Sequence, residues 1–203
     1  MNKKILLSSV VLCAAMLLGA ENLVKNFDFN AKVKNLGPEF RANGGKIALF
    51  TEENGNRCGQ LVITNMQKSG QYDLLTAYTW IGGSNINNNL PGGFACKPNT
   101  TYDFSIDVKG TAKTGAVKFS YWQAGKKLWN CKTGQTTVGP VKISSEWQTL
   151  KGSFTTPADA VNAALALSIW EHSRYTTIKS KVGDYLLFDN IVIKERKTAE
   201  AAK

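Results

Sequence analysis

The chain is poor in the residues that build metal and redox sites. It has one histidine, His172, and four cysteines, Cys13, Cys58, Cys96 and Cys131, none of them in a C-x-x-C spacing. A zinc site made of the usual nitrogen and sulfur ligands is therefore poorly supplied. Past the first twenty residues, no segment approaches the roughly 20 consecutive apolar residues of a membrane-spanning helix, so no membrane insertion is predicted. The formal net charge is +10, yet no block of five or more basic residues occurs, which argues against nucleic acid as a partner. Nor does any stretch sustain a 3.6-residue apolar period, which argues against helices as the main element.

The chain opens on Met1-Asn-Lys3-Lys4, continues with the uncharged run Ile5 to Leu18 and reaches Gly19-Ala20. Basic, apolar and small-residue regions in that order predict a secretory signal peptide over residues 1–20. Cleavage near Ala20 would leave a secreted, periplasmic or cell-surface protein. Cys13 follows Leu12, whereas a lipid-bearing cysteine needs a small residue before it, so no lipid anchor is expected. The signal segment holds two lysines and no acids, so its removal lowers the charge from +10 to +8. That balance favours anionic partners, acidic polysaccharides among them, although scattered lysines also serve solubility. Three cysteines in an oxidising compartment predict one disulfide and one buried thiol, with the pair left open.

The rest alternates β-type runs with Gly, Asn and Pro turns. Strands are predicted at Leu23–Asn30, Lys46–Thr51, Gly59–Thr64, Tyr72–Trp80, Thr101–Lys109, Ala116–Gln123, Gln148–Thr155, Ala163–Glu171 and Tyr185–Lys194. The fold class is all-β: a single-domain β-sandwich of two antiparallel sheets over residues 21–194. Residues between Trp80 and Phe94 read as a surface loop, and residues 195–203 as a charged flexible tail.

Four motifs occur in order. They are Asn22-Leu-Val-Lys-Asn-Phe-Asp-Phe-Asn30, Lys97-Pro-Asn-Thr-Thr-Tyr-Asp-Phe-Ser-Ile-Asp-Val108, Ser145-Glu-Trp-Gln-Thr-Leu-Lys-Gly-Ser-Phe-Thr155 and Gly183-Asp-Tyr-Leu-Leu-Phe-Asp-Asn-Ile-Val-Ile-Lys194. Together they resemble the strands of the cellulose-binding-C-like jelly rolls, carbohydrate-binding module families 4, 9, 16 and 22. The resemblance implies a jelly roll, a polysaccharide or oligosaccharide ligand on a concave sheet, and a structural calcium ion. It places the calcium ligands at Asn30, where the family carries a glutamate, at the turn containing Glu53, and at Asp189. A separate glycan-degrading enzyme is a further expected partner, and the protein is expected to be a monomer.

Alternation assigns the faces of the strands. Val117, Phe119 and Tyr121 make one core set and Leu165, Leu167 and Ile169 another. Trp122 and Trp170 then stand on the non-core face beside Ala164, Ala166 and Ser168. Such rings suit the apolar face of a pyranose, with Lys118, Ser120, Gln123, Ser168 and Asp103 as hydrogen-bonding neighbours. The competing expectation is that the 80–94 loop covers both tryptophans. Tyr72 is a further stacking candidate and Trp129 a platform at a hairpin tip; Tyr78 and Trp80 fit either face, and Trp147 is assigned to the core. A glycosidase-like acid pair has only Asp103 and Asp107 to draw on, both on a wet face, so the domain is read as non-catalytic. A protein-binding envelope or adhesion module is the alternative, and behind it a polysaccharide lyase or glycoside hydrolase.

Overall fold

The computed structural model describes residues 22–23, 29, 40–81, 94–123 and 132–197. The expected signal peptide, Asn30, Trp129, Cys131 and most of the 80–94 loop lie outside them.

Twelve strands and no helix occur among the described residues, and none of those residues forms a helix long and apolar enough to cross a membrane. The strands are β1 (Phe40–Asn43), β2 (Gly45–Thr51), β3 (Arg57–Ile63), β4 (Gln67–Ser69), β5 (Tyr72–Ile81), β6 (Phe94–Ala95), β7 (Thr101–Gly110), β8 (Thr114–Trp122), β9 (Lys132–Lys142), β10 (Gln148–Thr155), β11 (Asn162–His172) and β12 (Tyr185–Glu195). One sheet runs β1-β5-β11-β8-β9, with β4 and β6 added at its margins; the other runs β10-β7-β12-β3-β2, and all pairings are antiparallel. The expected two-sheet sandwich is present.

The core lies between the sheets, and alternation builds it as predicted. Tyr102, Phe104, Ile106 and Val108 of β7 face Val117, Phe119 and Tyr121 of β8 and Leu165, Leu167 and Ile169 of β11. Phe119 stacks on Phe154 of the opposite sheet with centroids 3.8 Å apart and meets Phe104 at 5.1 Å. The phenol tips in this stack are satisfied, as buried tyrosines require: Tyr102 accepts the Lys97 amide at 2.8 Å, and Tyr121 donates to Thr136 Oγ1 at 2.8 Å. The opening and closing motifs meet in space. The Asn22 side chain donates to the Ile191 carbonyl and accepts the Ile193 amide, both at 2.9 Å, and Phe29 packs edge-on against Phe188. Position 59 must be glycine because a Cβ there would lie 2.3 Å from the Phe188 ring.

Four strands escaped the sequence reading: β1, β4, β6 and β9. β9 contains Gly134, Gly139 and Pro140, residues that normally break strands, and it survives as an edge where an absent N–H is tolerated. Its ladder with β8 shifts register between Gly115 and Val117. Trp147, expected in the core, is instead half-buried, with its indole N–H on Glu52 Oε2 at 3.1 Å and the Lys109 ammonium over its ring.

Cys58 and Cys96 are both free thiols, so the expected disulfide does not form between them. Burial pushes the Cys58 thiol up to about 12, with Glu52 and Asp189 adding to the effect, and burial pushes Cys96 up to about 11. Both are therefore protonated at neutral pH and poor nucleophiles. Iodoacetamide at pH 7.5 should leave them unmodified in native protein and alkylate them fully in denaturant, as read by peptide mass spectrometry. Rapid native labelling of Cys58 would contradict its burial.

Candidate functional site on the outer face of the β1-β5-β11-β8-β9 sheet

β11 is the central strand of this sheet, and its core-facing set is fixed by Leu165, Leu167 and Ile169. Its other set therefore turns outward: Ala164, Ala166, Ser168, Trp170 and His172. In β5 the buried set is Leu75, Ala77 and Thr79, so Tyr72, Leu74 and Thr76 turn outward. Positions 78 and 80 alternate with that outward set, opposite Ser168 and Ala166 in the ladder.

Trp170 is 40% exposed. On one side it lines a groove of about 330 Å³ with Ala116, Lys118, Thr137, Gly139 and Pro140. Gly139 is needed there: its φ is +134°, and a Cβ would sit 3.1 Å from the Ala116 methyl. On its other side Trp170 stacks on Tyr175 at 6.1 Å and meets His172 at 5.9 Å; His172 in turn lies 5.6 Å from Tyr72 and 5.0 Å from Tyr175. Arg174 is held over Tyr72 at 5.7 Å and over Tyr175 at 5.5 Å. The turn carrying Arg174 and Tyr175 is tied down. Ser173 donates its amide to the Asp73 carbonyl and accepts the Asp73 amide on its hydroxyl, while the Arg174 amide donates to His172 Nδ1 at 3.1 Å. The result is an exposed aromatic platform with a groove at its edge, small residues beside it, and polar groups within reach. Such a surface suits a ligand with apolar C–H faces and peripheral hydroxyls.

A family model described as a carbohydrate binding domain matches residues 21–174. The chain belongs to that family. No curated protein sequence matches it at a significant level. Among solved structures, a family 16 carbohydrate binding module is similar at 19% identity with a TM-score of 0.50, over 85% of this chain and 99% of that one. The CBM22-1–GH10 modules of Clostridium thermocellum endo-1,4-β-D-xylanase 10B, solved with xylohexaose, are similar at 14% identity and TM-score 0.52, over 88% of this chain and 28% of that one. The enzymatically active domain of bacteriophage CBA120 tailspike protein 4 is similar at 10% identity and TM-score 0.53, over 86% of this chain but only 21% of its own length. At these identities the likeness speaks for the fold.

Within this carbohydrate-binding domain the residues nominated from sequence are distributed unevenly. Trp170 and Lys118 share the groove, and Tyr72 joins Trp170 through His172. Ser168 and Ser120 are on the same face but buried, and the Ser168 hydroxyl already donates to the Ala116 carbonyl at 3.3 Å. Gln123 is engaged with the Asp159 carboxylate. Trp122 stands on the outer face as alternation predicts, yet it is only 4% exposed and lies outside the main core cluster. Its ladder partner Asn162 is eight residues along β11 from Trp170, roughly 26 Å of strand, so the two rings do not form one platform. Asp103 belongs to the other sheet, where Arg196 grips its carboxylate and holds it below the usual aspartate range. That corrects its nomination as a neighbour of the tryptophans. Asp107 accepts from Thr149 at 2.6 Å and from Asn190 at 2.9 Å, so both acids of the suggested pair are structural partners. His172, Arg174, Tyr175, Thr137 and Pro140 were missed. For His172 the signal was present, two positions beyond Trp170 on one strand.

The nominated calcium ligands are only partly located. Glu53 is exposed on its turn, and no described contact links it to Asp189. Asp189 is buried, with one oxygen accepting the Asn190 amide at 2.8 Å and the other accepting Asn56 Nδ2 at 3.3 Å. The acid that reaches this network is Glu52, which accepts Asn56 Nδ2 and the Trp147 indole, both at 3.1 Å, and the Lys109 ammonium. Burial raises the Glu52 carboxyl, but these three hydrogen bonds outweigh it and hold the group ionised below the usual glutamate range. Calcium takes six to eight oxygens, from carboxylates, amide side chains and backbone carbonyls, and no group of three His, Cys, Asp or Glu side chains placed to hold a metal occurs among the described residues. Asn30, the remaining nominated ligand, lies outside the described residues, and the Lys109 ammonium stands against Glu52.

Proposed function

We propose that this carbohydrate-binding domain is a secreted, non-catalytic module that holds a polysaccharide, a β-glycan, against Trp170 and in the adjoining groove. The observation that carries the reading is the exposed Trp170 ring between that groove and the Tyr175–His172–Tyr72 platform. Export is supported by the order of residues in Met1–Ala20, and the absence of a catalytic role by the structural engagement of Asp103 and Asp107. The groove volume of about 330 Å³ is at the small end for ligand sites, as expected where a sugar lies on a surface and only part of it is enclosed.

Trp170→Ala should weaken binding to the recognised glycan by at least about 1 kcal/mol, roughly fivefold. Its melting temperature should stay within a few degrees of the wild type because the ring is already partly in water. Affinity electrophoresis across soluble β-glucans, xylans, mannans and an acidic polysaccharide, paired with thermal unfolding, measures both. Unchanged migration of the variant in the glycan that retards the wild type would exclude Trp170 from the site.

A further inference from the structure

The charges of the two sheets are distributed differently. Among the described residues four ion pairs occur: Lys68–Asp73, Lys97–Glu195, Lys109–Glu52 and Arg196–Asp103. Neither Lys118 nor Arg174 is in one, although each stands beside Trp170, Lys118 in the groove and Arg174 over the tyrosines of the platform. β8 and β9 carry Lys118, Lys132 and Lys142 and no acid. The acids on this sheet are Asp73, which is paired, and Glu171, which is buried. The strands of the other sheet hold Asp103, Asp107, Asp189 and Glu195 among their lysines and arginine.

Both side chains can donate to the hydroxyls of a neutral sugar, but two cations without an ion-pair partner beside one stacking ring also leave a local positive charge that an anionic ligand offsets and a neutral one does not. Arg174 presents a planar fork suited to carboxylate or sulfate, and its position over Tyr72 and Tyr175 fixes that fork. From the proposed glycan site, on which this step rests, we infer that the ligand is an anionic polysaccharide. One sugar stacks on Trp170 while carboxylate or sulfate groups along the chain meet Lys118 on one side and Arg174 on the other.

The test uses the full-length processed protein and five variants, Trp170→Ala, Lys118→Met, Arg174→Met, the double variant of those two cations, and a Lys46→Met/Lys151→Met control that removes the same charge from the opposite sheet. Binding is measured by isothermal titration to mannuronate-rich alginate, which carries carboxylates on β-linked sugars, to a sulfated galactan, and to neutral xylan and β-glucan, at 20 mM and 500 mM salt. The expected result is at least tenfold tighter binding to one anionic class than to the neutral polymers. Lys118→Met and Arg174→Met should each weaken it about three- to tenfold, Trp170→Ala should weaken it as well, and the control should leave it unchanged. Salt should weaken it but not abolish it, since stacking is not screened. The carboxylate and sulfate arms tell the two anions apart. Neutral polymers bound as tightly as anionic ones, with Trp170 required and the cations dispensable, would overturn the anionic assignment and leave the glycan site standing. Equal loss in the control variant would reduce the effect to general charge and overturn it too. Binding to none of the polymers, or binding indifferent to Trp170→Ala, would overturn both.

Discussion

Trp122→Ala should lower stability by about 3–5 kcal/mol, the usual cost of truncating a buried large aromatic side chain. In a domain of this size that corresponds to a melting temperature roughly 6–20 °C lower. The ring is 4% exposed, so removing it leaves a cavity on the outer side of the sheet, not a vacant ligand surface. Trp170→Ala serves as the internal comparison: two tryptophans on one face of one sheet, one expected to report stability and the other binding. Thermal and urea unfolding of both variants measure the contrast. A Trp122→Ala protein that melts with the wild type while losing its glycan would reverse the assignment and show that the ring is uncovered in solution.

Glu171→Ala should cost about 1–4 kcal/mol, because the buried Ser180 amide loses its acceptor at roughly 1–3 kcal/mol and the part-buried Lys179 amide loses one at a smaller cost. Glu171 is 1% exposed, and Oε2 accepts the Lys179 amide at 2.6 Å and the Ser180 amide at 2.9 Å. Oε1 takes the hydroxyls of Thr114 at 3.0 Å and Ser180 at 2.9 Å. The carboxylate thus pins the segment before β12 to the start of β8. Burial pushes this carboxyl up, yet the four hydrogen bonds outweigh it and hold it below the usual glutamate range. A depressed folded-state pKa contributes stability above the unfolded-state value, and that contribution disappears as pH falls through the folded-state value. Wild-type urea midpoints should therefore drop from about pH 5 downward. In Glu171→Gln, which has no charge to lose at this position, the decline should be shallower. Parallel acid limbs in the two proteins would remove Glu171 as a cause of acid sensitivity.

Eight of the strands were legible because their apolar residues alternate around a buried set, and the end motifs were legible because Asn22 and the closing strand bond directly. β9 was not, because Thr, Gln, Gly and Pro dominate it and its register is set by its neighbour. The outward direction of Trp122 and Trp170 followed from period two alone. Their very different exposure did not, since cover over an outer face comes from residues distant in sequence. The cluster of His172, Arg174 and Tyr175 begins where the strand ends and alternation no longer predicts direction. Glu52 and Glu53 are adjacent, and the turn closed by the Glu52 amide on the Asn56 carbonyl at 2.8 Å decides which of them shares the Asn56 side chain with Asp189. No spacing rule distinguishes neighbouring acids in a turn.

The reciprocal bond pair between Ser173 and Asp73 bears on the cost of binding. Each bond joins the turn after β11 to the first residues of β5, so Tyr72, Arg174 and Tyr175 are arranged before any ligand arrives. Side chains immobilised only on association cost about 0.5–1.5 kcal/mol each in lost freedom. A platform already clasped at its base avoids part of that loss, leaving the flexible polymer as the main component that must be ordered.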